Sequence, residues 1–495
     1  MPRLIGIETE YGILAPEVPD LDPAVLSAAV VDSWDGPATH HELDGSFGPQ
    51  PDPVPLTDLH TDQNRTHTMR SIDVMSLRKV LTSVSEEPNR VLGNGARFYV
   101  DHAHPEYSAP EVTTAVEAVR YDLAGEAIVA GAAARAAEKL GTPVRIHKNN
   151  TDSQGSSYGC HENYLLARSV PWQQIVTGVT AFLVSRTVVV GAGRVGIGRY
   201  GERPGFQLSQ RADFFETPEG IQTTRRRPIV NTRDEPHAPP AQWRRLHVIT
   251  GDANRSPWST WLKVGSATLV LEALAAGRLP ELRLVDPVDA LHTVSHDPSL
   301  SALLELEDGR RMTALELQWA YLEAVAPPEP GSDGARVLLA WAEVLDDLAA
   351  DPGRCADRLD WVAKLQLLES YADRHRLPPD SPRFAQLDLA WAELGPASPF
   401  AVLSGAGRFR SVPGLVRDGE DLAAAVARAV EAPPSDTRAW LRGSLVQHDP
   451  DAVVAASWDW MVVQNARGRH LRIDLSDPLD PGTDRLDAVL RALAG

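Results

Sequence analysis

The stretch Leu4-Ile-Gly-Ile-Glu-Thr-Glu-Tyr11 decides how the rest of the sequence is interpreted. Its apolar and polar residues alternate, and this pattern predicts a β-strand. Because side chains alternate across a strand, Gly6, Glu8 and Glu10 lie on one face, with the two carboxylates roughly 7 Å apart. The isoleucines of the other face favour a central, buried strand, in which paired acids need a cation or a proton. Oxygen ligands suit Mg²⁺, so the strand predicts a magnesium site, with a solvent-facing polar edge as the alternative.

A second strand is predicted at 96–101, where the sequence reads Ala-Arg-Phe-Tyr-Val-Asp. Arg97, Tyr99 and Asp101 share one of its faces, while the intervening residues point into the core. A cation, a phenol and a carboxylate in a row on a sheet are costly unless they meet ligands. Glu106 follows shortly after the strand and adds another acid. A solvated strand edge is again the alternative.

Two further strands bring histidines to the same region. A strand predicted at 160–167 places His161 and Asn163 on one face, and Arg245 and His247 share a face of another strand. A lone histidine is more often a satisfied core residue than a ligand. Two strand-borne histidines beside several acids nevertheless fit a mixed metal and nucleotide site.

Clustered arginines supply positive charge to this part of the sheet. Arg225, Arg226 and Arg227 are consecutive, and Arg233 follows closely. Guanidinium groups bind phosphates and carboxylates through paired hydrogen bonds. For each of these residues a solvated basic turn is an equally good interpretation.

The remaining pattern predicts an α+β protein, a sheet-rich core with covering helices. Helices are expected at 22–31, 113–140, 171–185 and 256–276, with mostly helical sequence from 314 to 394. Strands are also expected at 144–147, 227–231 and 246–250. Residues 35–88, rich in Pro, Gly, Asp and His in their first part, predict an inserted mobile loop region. We expect a catalytic domain at 1–423 and a small C-terminal domain at 424–495, with strands around Trp460 and Leu471.

The composition excludes several classes of function. A formal charge of −19 argues against nucleic acid or an anionic membrane as the main partner, because both would be repelled. No apolar run is long enough to span a membrane, and the opening MPRLIGIETEYG lacks the pattern of a secretory signal. Two cysteines, Cys160 and Cys355, fit a reducing compartment. We therefore expect a cytoplasmic protein and, without exposed heptads, a monomer.

Five motifs in this order resemble the Pup ligase and depupylase family of carboxylate–amine ligase relatives: GIETEYG, NGARFYVDHAHPEYSAPE, KNNTDSQGSSYGCHENYL, RRRPIVNTRDEPHA and RRLHVITGDAN. The resemblance covers most of the chain. It implies a glutamine-synthetase-like curved antiparallel sheet backed by helices, with a small C-terminal domain. ATP and Mg²⁺ would lie in the cradle of the sheet, and the Pup chain in a groove that leads to it.

The resemblance also implies roles for individual residues, all of which are expectations here. Asp101 matches the catalytic aspartate, and its role as nucleophile or as general base stays open. The implied metal ligands are Glu8, Tyr99, Glu106, His161 and His247. The implied cofactor-binding residues are Gly6, Glu10, Arg97, Ser108, Asn163 and Trp460.

Two features favour the depupylase branch of the family. The ligase branch runs almost directly from its first helix into the NGAR motif, whereas this chain has the insertion at 35–88. The form DHAHPEYS also resembles the depupylase motif. We therefore expect hydrolysis of the bond between Pup and a target lysine and deamidation of a C-terminal Gln of Pup. ATP would be a cofactor that is not consumed stoichiometrically with the bonds cleaved. The alternatives are the Pup–protein ligase reaction, a non-catalytic Pup-binding adaptor and a small-molecule carboxylate–amine ligase.

Overall fold

The computed structural model describes residues 4–40 and 88–494, so most of the insertion predicted at 35–88 lies outside the described residues. Within them, one large sheet has nine strands. Numbered along the chain, they lie across the sheet in the order β11 (Phe215–Gly220), β12 (Arg227–Asn231), β13 (Trp243–Val248), β8 (Cys160–Ala167), β1 (Ile5–Glu10), β6 (His104–Ser108), β5 (Arg97–Asp101), β4 (Asn89–Leu92) and β3 (Ala38–His40).

Smaller strand groups flank this sheet. Three are pairs, namely β2 (Gly12–Leu14) with β7 (Arg145–His147), β9 (Arg194–Ile197) with β10 (Arg203–Gln207), and β14 (Leu304–Glu305) with β15 (Arg311–Met312). The C-terminal part forms a three-stranded sheet of β16 (Val453–Ala456), β17 (Trp460–Gln464) and β18 (His470–Asp474).

The predicted α+β architecture is confirmed, with differences at the edges. Seven of the eight strand pairs in the large sheet are antiparallel, but β11 and β12 are parallel. Residues 221–226 carry the chain back along β11, so that β12 starts beside Phe215. An edge strand has one neighbour only, which leaves its direction less constrained. At the other edge of the sheet, the strand β3 lies in the region 35–88, for which a loop is predicted. Inside the sheet, β13 starts three residues earlier than predicted, because its first residues pair with the end of β8.

Some of the helices cover the apolar face of the large sheet, and others pack on those helices or belong to the C-terminal part. They are α1 (Pro23–Asp32), α2 (Ala115–Leu140), α3 (Trp172–Ser185), α4 (Thr187–Val190), α5 (Pro257–Ala275), α6 (Pro287–Ser295), α7 (Ala314–Ala324), α8 (Asp333–Ala350), α9 (Asp360–His375), α10 (Arg383–Ala392), α11 (Pro399–Gly405), α12 (Leu422–Glu431), α13 (Ala439–His448) and α14 (Thr483–Ala494). In the described part of the chain, none of them has the length and apolar character needed to cross a membrane.

The longest helix, α2, follows its predicted signals. The Thr114 hydroxyl accepts a hydrogen bond from the backbone N–H of Glu117 at 3.2 Å and caps its start, and Gly141 ends it at φ 66°. The helix lies behind β1 and β6. Ile7 and Tyr107, which point towards it, are at most 2% exposed, so the face of β1 opposite its acids is the buried one.

The C-terminal part has its own apolar cluster. Leu441 and Leu445 of α13 pack with Met461 and Val463 of β17, and this cluster reaches β4 of the large sheet through Val91. Helix α12 instead packs against α2. The division predicted at residue 424 falls inside α12, and the assignment of two domains stays a prediction.

A buried ion cluster fastens α13 to the sheet. Glu111 accepts hydrogen bonds from Arg438 Nε at 2.7 Å and from Arg442 Nη2 at 2.5 Å. The backbone carbonyl of Glu111 also accepts a hydrogen bond from the Thr437 hydroxyl at 2.7 Å. Burial opposes ionisation of Glu111, but Arg442 and then Arg438 outweigh it and lower its pKa to about 2.

We predict that Gly125→Ala destabilises the protein although alanine favours helices. A Cβ at Gly125 would lie 2.3 Å from Cδ1 of the buried Tyr107 ring, and such overpacking costs about 1–3 kcal/mol. Gly131, on the same helix, is the matched control, because its added Cβ would meet only the end of Arg135 at 3.6 Å. Gly131→Ala should gain about 0.5–1 kcal/mol. Denaturant unfolding of both variants measures this, and equal stabilisation by both would contradict the packing described.

We predict that the Glu111 cluster makes the stability of the folded protein depend on pH. A carboxyl whose pKa is lower in the folded state contributes stability above its ordinary pKa of 4.5, and this is lost as the pH falls towards about 2. Glu111→Gln should therefore lower the unfolding temperature most at neutral pH and least near pH 2. Thermal unfolding across this range, with the exposed Glu17→Gln as control, measures the difference. A constant difference at all pH values would rule the ion cluster out as its cause.

Candidate active site

Cross-strand pairing carries the predicted site residues of the large sheet onto one face. In antiparallel strands, directly opposite residues project the same way. Glu8 of β1 lies opposite His161 of β8 on one side and Ser108 of β6 on the other. Tyr99 of β5 lies opposite Glu106 of β6. The same registers add Gly6, Glu10, Arg97, Asp101, Asn163 and His247.

Glu8, His161 and His247 form a histidine–carboxylate group. Glu8 Oε2 lies 3.5 Å from Nδ1 of His161 and 3.8 Å from Nε2 of His247, while its other oxygen accepts a hydrogen bond from Asn163 Nδ2 at 2.9 Å. One ligand atom from each member lies within 4.8 Å of the others. This separation is short enough for one cation to contact all three side chains.

The protonation states of this group also suit a cation. Burial opposes ionisation of Glu8, but the hydrogen bond with His161 and the positive charge of Arg245 lower its pKa below the ordinary value. Burial, reinforced by the charge of Arg245, lowers the pKa of His247 well below 6.5, so its imidazole is neutral. Among the described residues, neither ring nitrogen of His247 has a hydrogen-bond partner. A neutral, unpaired imidazole facing a carboxylate is ready to bind a metal.

Glu10, Asp101 and Glu106 form a carboxylate group on the adjacent strands, with one oxygen of each within 4.8 Å of the others. Tyr99 Oη donates a hydrogen bond to Glu106 Oε1 at 2.5 Å. Burial, followed by the charges of Asp101 and Glu10, raises the pKa of Glu106 well above 4.5. Three acids so close together need a proton or a cation between them. Tyr99, an implied metal ligand, thus lies at the edge of this group, beside the place where the three acids would hold a cation.

Asp101 is the acid of this group that solvent can reach. Its side chain is 41% exposed, whereas that of Glu10 is 10% exposed. It ends β5 at a tight two-residue turn, in which His102 and Ala103 have φ of 45° and 75°. Non-glycine residues rarely adopt such angles. The turn is held by α1, where the Ser27 hydroxyl donates to the carbonyl of Ala103 at 2.8 Å, so that the end of β5 and its carboxylate have a defined position.

A cavity opens beside the histidine–carboxylate group. Of the predicted residues, it is lined by Gly6, Glu8, Ser108 and Asn163. Arg245, expected on the same strand face as His247, and Glu111 also line it. Residues that sequence reasoning did not place there are His237, Arg438 and Trp458. Burial, with the charges of Arg245 and Arg438, lowers the pKa of His237 to about 4. The cavity therefore joins the face of β1 to residues of the C-terminal part.

Three predicted cofactor-binding residues lie outside this lining: Glu10, which belongs to the carboxylate group, Arg97 and Trp460. Arg97 stacks 4.0 Å from the Tyr99 ring and donates to Asn89 Oδ1 at 2.8 Å. Trp460 lies on β17, with the Arg472 guanidinium 5.2 Å from its ring. Trp458 lines the cavity in its place, and the spacing of two in Trp458-Asp-Trp460 is the signal that could have pointed to it. The cofactor roles of Arg97 and Trp460 stay predictions.

The sequence matches the Pup-ligase protein family over residues 3–462. A Pup deamidase/depupylase of Mycolicibacterium smegmatis is 42% identical over 99% of this chain and 97% of its own length. A depupylase of Acidothermus cellulolyticus is 43% identical over 93% of this chain and 91% of its own length. A Pup–protein ligase of Acidimicrobium ferrooxidans is 38% identical over 83% of this chain and 91% of its own length.

Two solved structures have a similar fold. The ligase PafA in complex with the prokaryotic ubiquitin-like protein Pup has a TM-score of 0.79 and 30% identity, covering 99% of this chain and 92% of that one. PafA in complex with ADP has a TM-score of 0.74 and 33% identity, covering 86% and 95%. The family match over residues 3–462, together with these identities along nearly the whole chain, shows that this chain belongs to the Pup-ligase protein family.

Proposed function

We propose that this chain is a depupylase and Pup deamidase. It hydrolyses the isopeptide bond between the C-terminal Glu of Pup and a target lysine, and the side-chain amide of a C-terminal Gln of Pup. The observation that carries the proposal is Asp101, an accessible acid beside the buried carboxylates Glu10 and Glu106. Accessibility is what a group that acts on a large polypeptide substrate needs.

The choice of hydrolysis over ligation rests on similarity along the whole length. The matched relatives named for depupylation align with 93–99% of this chain, whereas the ligase of Acidimicrobium ferrooxidans aligns with 83%. The short turn between β5 and β6 belongs to the form DHAHPEYS, which resembles the depupylase motif, and it sets Asp101 directly opposite His104. The ligase reaction is the second candidate, favoured by the similarity to PafA in its complex with Pup.

The residues present fit magnesium and ATP. Glu8, His161 and His247 would hold one end of the metal site, and Glu10 and Glu106 the other, because their oxygens and unpaired nitrogens converge. The nucleotide would lie in the cavity between Gly6 and the C-terminal part. When bound, magnesium and ATP would supply positive charge and shape to the site where negative charge develops on the amide oxygen.

Asp101 acts on the carbonyl carbon of the scissile amide, either as a nucleophile or as a base that takes a proton from water. In both routes the hydroxyl of water ends on that carbon and the C–N bond breaks. The departing nitrogen takes up a proton and leaves as ammonia or as the lysine amine. Amide hydrolysis is downhill, so ATP is not needed as a stoichiometric energy source.

We predict that Asp101→Asn removes at least about 100-fold of the turnover on both substrates, because the amide neither attacks nor accepts a proton. Release of ammonia from Pup ending in Gln, and of free protein from a Pup–lysine conjugate, measures this. ATP affinity should stay close to that of the wild type. The exposed Asp20→Asn is the matched control. Substantial cleavage by the Asp101 variant would exclude the assigned role, and a wild type that releases neither product would exclude the proposed function.

We predict that Glu8→Gln weakens divalent metal binding by about 10- to 100-fold, since it removes a charged ligand between two histidines. Mn²⁺ titration followed by electron paramagnetic resonance, with and without ATP, gives a readout independent of turnover. Glu219→Gln is the control, because Glu219 is an exposed carboxylate on the edge strand β11. Equal Mn²⁺ affinity in the two variants would show that the histidine–carboxylate group does not bind the metal.

A further inference from the structure

Lysine is scarce in this chain, although it is ordinarily among the commonest residues of globular proteins. Of the 48 basic residues, five are lysines, namely Lys79, Lys139, Lys148, Lys263 and Lys364. Lys79 lies outside the described residues. The other 43 basic residues are arginines, whose guanidinium group is not deprotonated in proteins. The question is therefore which of the few lysines offers a reactive nitrogen to the surroundings.

Three of the lysines are buried, and Lys148 is the one with the strongest ion pairs. Lys148, Lys263 and Lys364 are at most 1% exposed. The Nζ of Lys148 lies 2.6 Å from Asp122 Oδ2 and 2.9 Å from Glu126 Oε1. Burial opposes the charge of Lys148, but Asp122 and then Glu126 outweigh it and raise its pKa above the ordinary value. Its nitrogen is therefore both protonated and out of reach of solvent.

The other two buried lysines are also held by acceptors inside the protein. Lys263 Nζ donates to the backbone carbonyl of Asp252 at 2.7 Å. Lys364 Nζ donates to Asp388 Oδ1 at 2.6 Å and to the carbonyl of Gly193 at 2.7 Å. A lysine nitrogen acts as a nucleophile only when it has lost its proton and can reach an electrophile. A buried lysine does not meet the second condition for an external electrophile.

Lys139 differs from these three in exposure and in its partners. It lies in the last turn of α2 and is exposed. Its Nζ donates to the Ser33 hydroxyl at 3.2 Å, which is a neutral acceptor. Arg135, one turn earlier in the helix, pairs with Asp35 at 2.9 Å. In the described part of the chain Lys139 has no carboxylate partner, so its nitrogen is free to lose a proton and to move.

The proposed substrate is made by a reaction that needs such a nitrogen. A Pup–protein ligase uses ATP to convert the side-chain carboxylate of the terminal Glu of Pup into an acyl phosphate. The neutral nitrogen of a lysine then attacks the carbonyl carbon, the bond from that carbon to the phosphate oxygen breaks, and the nitrogen gives a proton to water. A guanidinium group stays protonated and is not a nucleophile for this step.

We propose that Lys139 is the site in the described part of the chain to which Pup is attached, and that arginine instead of lysine elsewhere on this surface restricts attachment to it. The inference goes beyond the proposed function and rests on it only in that Pup conjugates are the substrate. A chain that carries Pup on Lys139 is itself a substrate for the proposed hydrolysis.

The test locates the attachment site in a full-length variant that should not remove Pup from itself. The background carries Asp101→Asn, and Lys79→Arg so that the result concerns the described lysines alone. It is incubated with ATP, Mg²⁺, Pup ending in Glu and the Pup–protein ligase of Acidimicrobium ferrooxidans, and the acceptor is identified by peptide mass spectrometry. We expect one conjugate, at Lys139. Adding Lys139→Arg should lower the conjugated fraction at least about tenfold, because the charge stays and the nucleophile is lost.

Arg374→Lys in the same background is the matched control. Arg374 is exposed and lies in the last turn of α9, as Lys139 does in α2. This change keeps the charge and should create a second attachment site.

Conjugation at Lys148, Lys263 or Lys364, or no conjugation while the ligase modifies another protein in the same sample, would overturn the inference. A lysine at position 374 that stays unmodified would also overturn it, because exposure would then not select the acceptor. If the Lys139 conjugate forms but the wild-type chain does not release Pup from it, the proposed function is refuted and the attachment site stands.

Discussion

Electrostatic repulsion among four acids governs this site. Glu8, Glu10, Asp101 and Glu106 project from three neighbouring strands onto one sheet face. Carboxylates at this separation raise one another's pKa unless positive charge or a proton intervenes, as the raised pKa of Glu106 shows. The opposite face is apolar and packed on helices, so relaxation of the strands away from each other would expose the core. The fold therefore holds the acids together, and a bound cation is the natural way to offset the cost.

The C-terminal part completes the cavity through charge as well as packing. Glu111, Arg438 and Arg442 form the buried ion cluster that fastens α13 to the sheet. Arg442 also lies 4.8 Å from the Trp458 ring and donates to the carbonyl of Trp458 at 3.1 Å. Loss of a partner would leave a buried charge unpaired, which is strongly destabilising. The wall of the cavity beside Gly6 and Glu8 and the attachment of the C-terminal part thus depend on the same residues.

Much of the site could be predicted because strand alternation is local. The acids of β1 and the polar residues of β5 were assigned to faces from spacing alone, and the observed registers place those faces side by side. The sequence pattern carries no comparable signal for which distant segments of the chain pack together. His237, Arg438 and Trp458 reach the cavity from separate parts of the chain through tertiary packing. The parallel edge strand and the short strands β3 and β16 were missed because few residues and one-sided pairing give a weak periodic pattern.

The most direct test of the account follows product and ADP in the same sample. The purified chain is incubated with ATP, Mg²⁺ and either Pup ending in Gln or a Pup–lysine conjugate. The account predicts that ammonia or free protein accumulates well beyond the ADP formed, because hydrolysis needs the nucleotide in the site but not its turnover. ADP that rises in step with new Pup–protein conjugates would contradict it and identify the chain as a ligase.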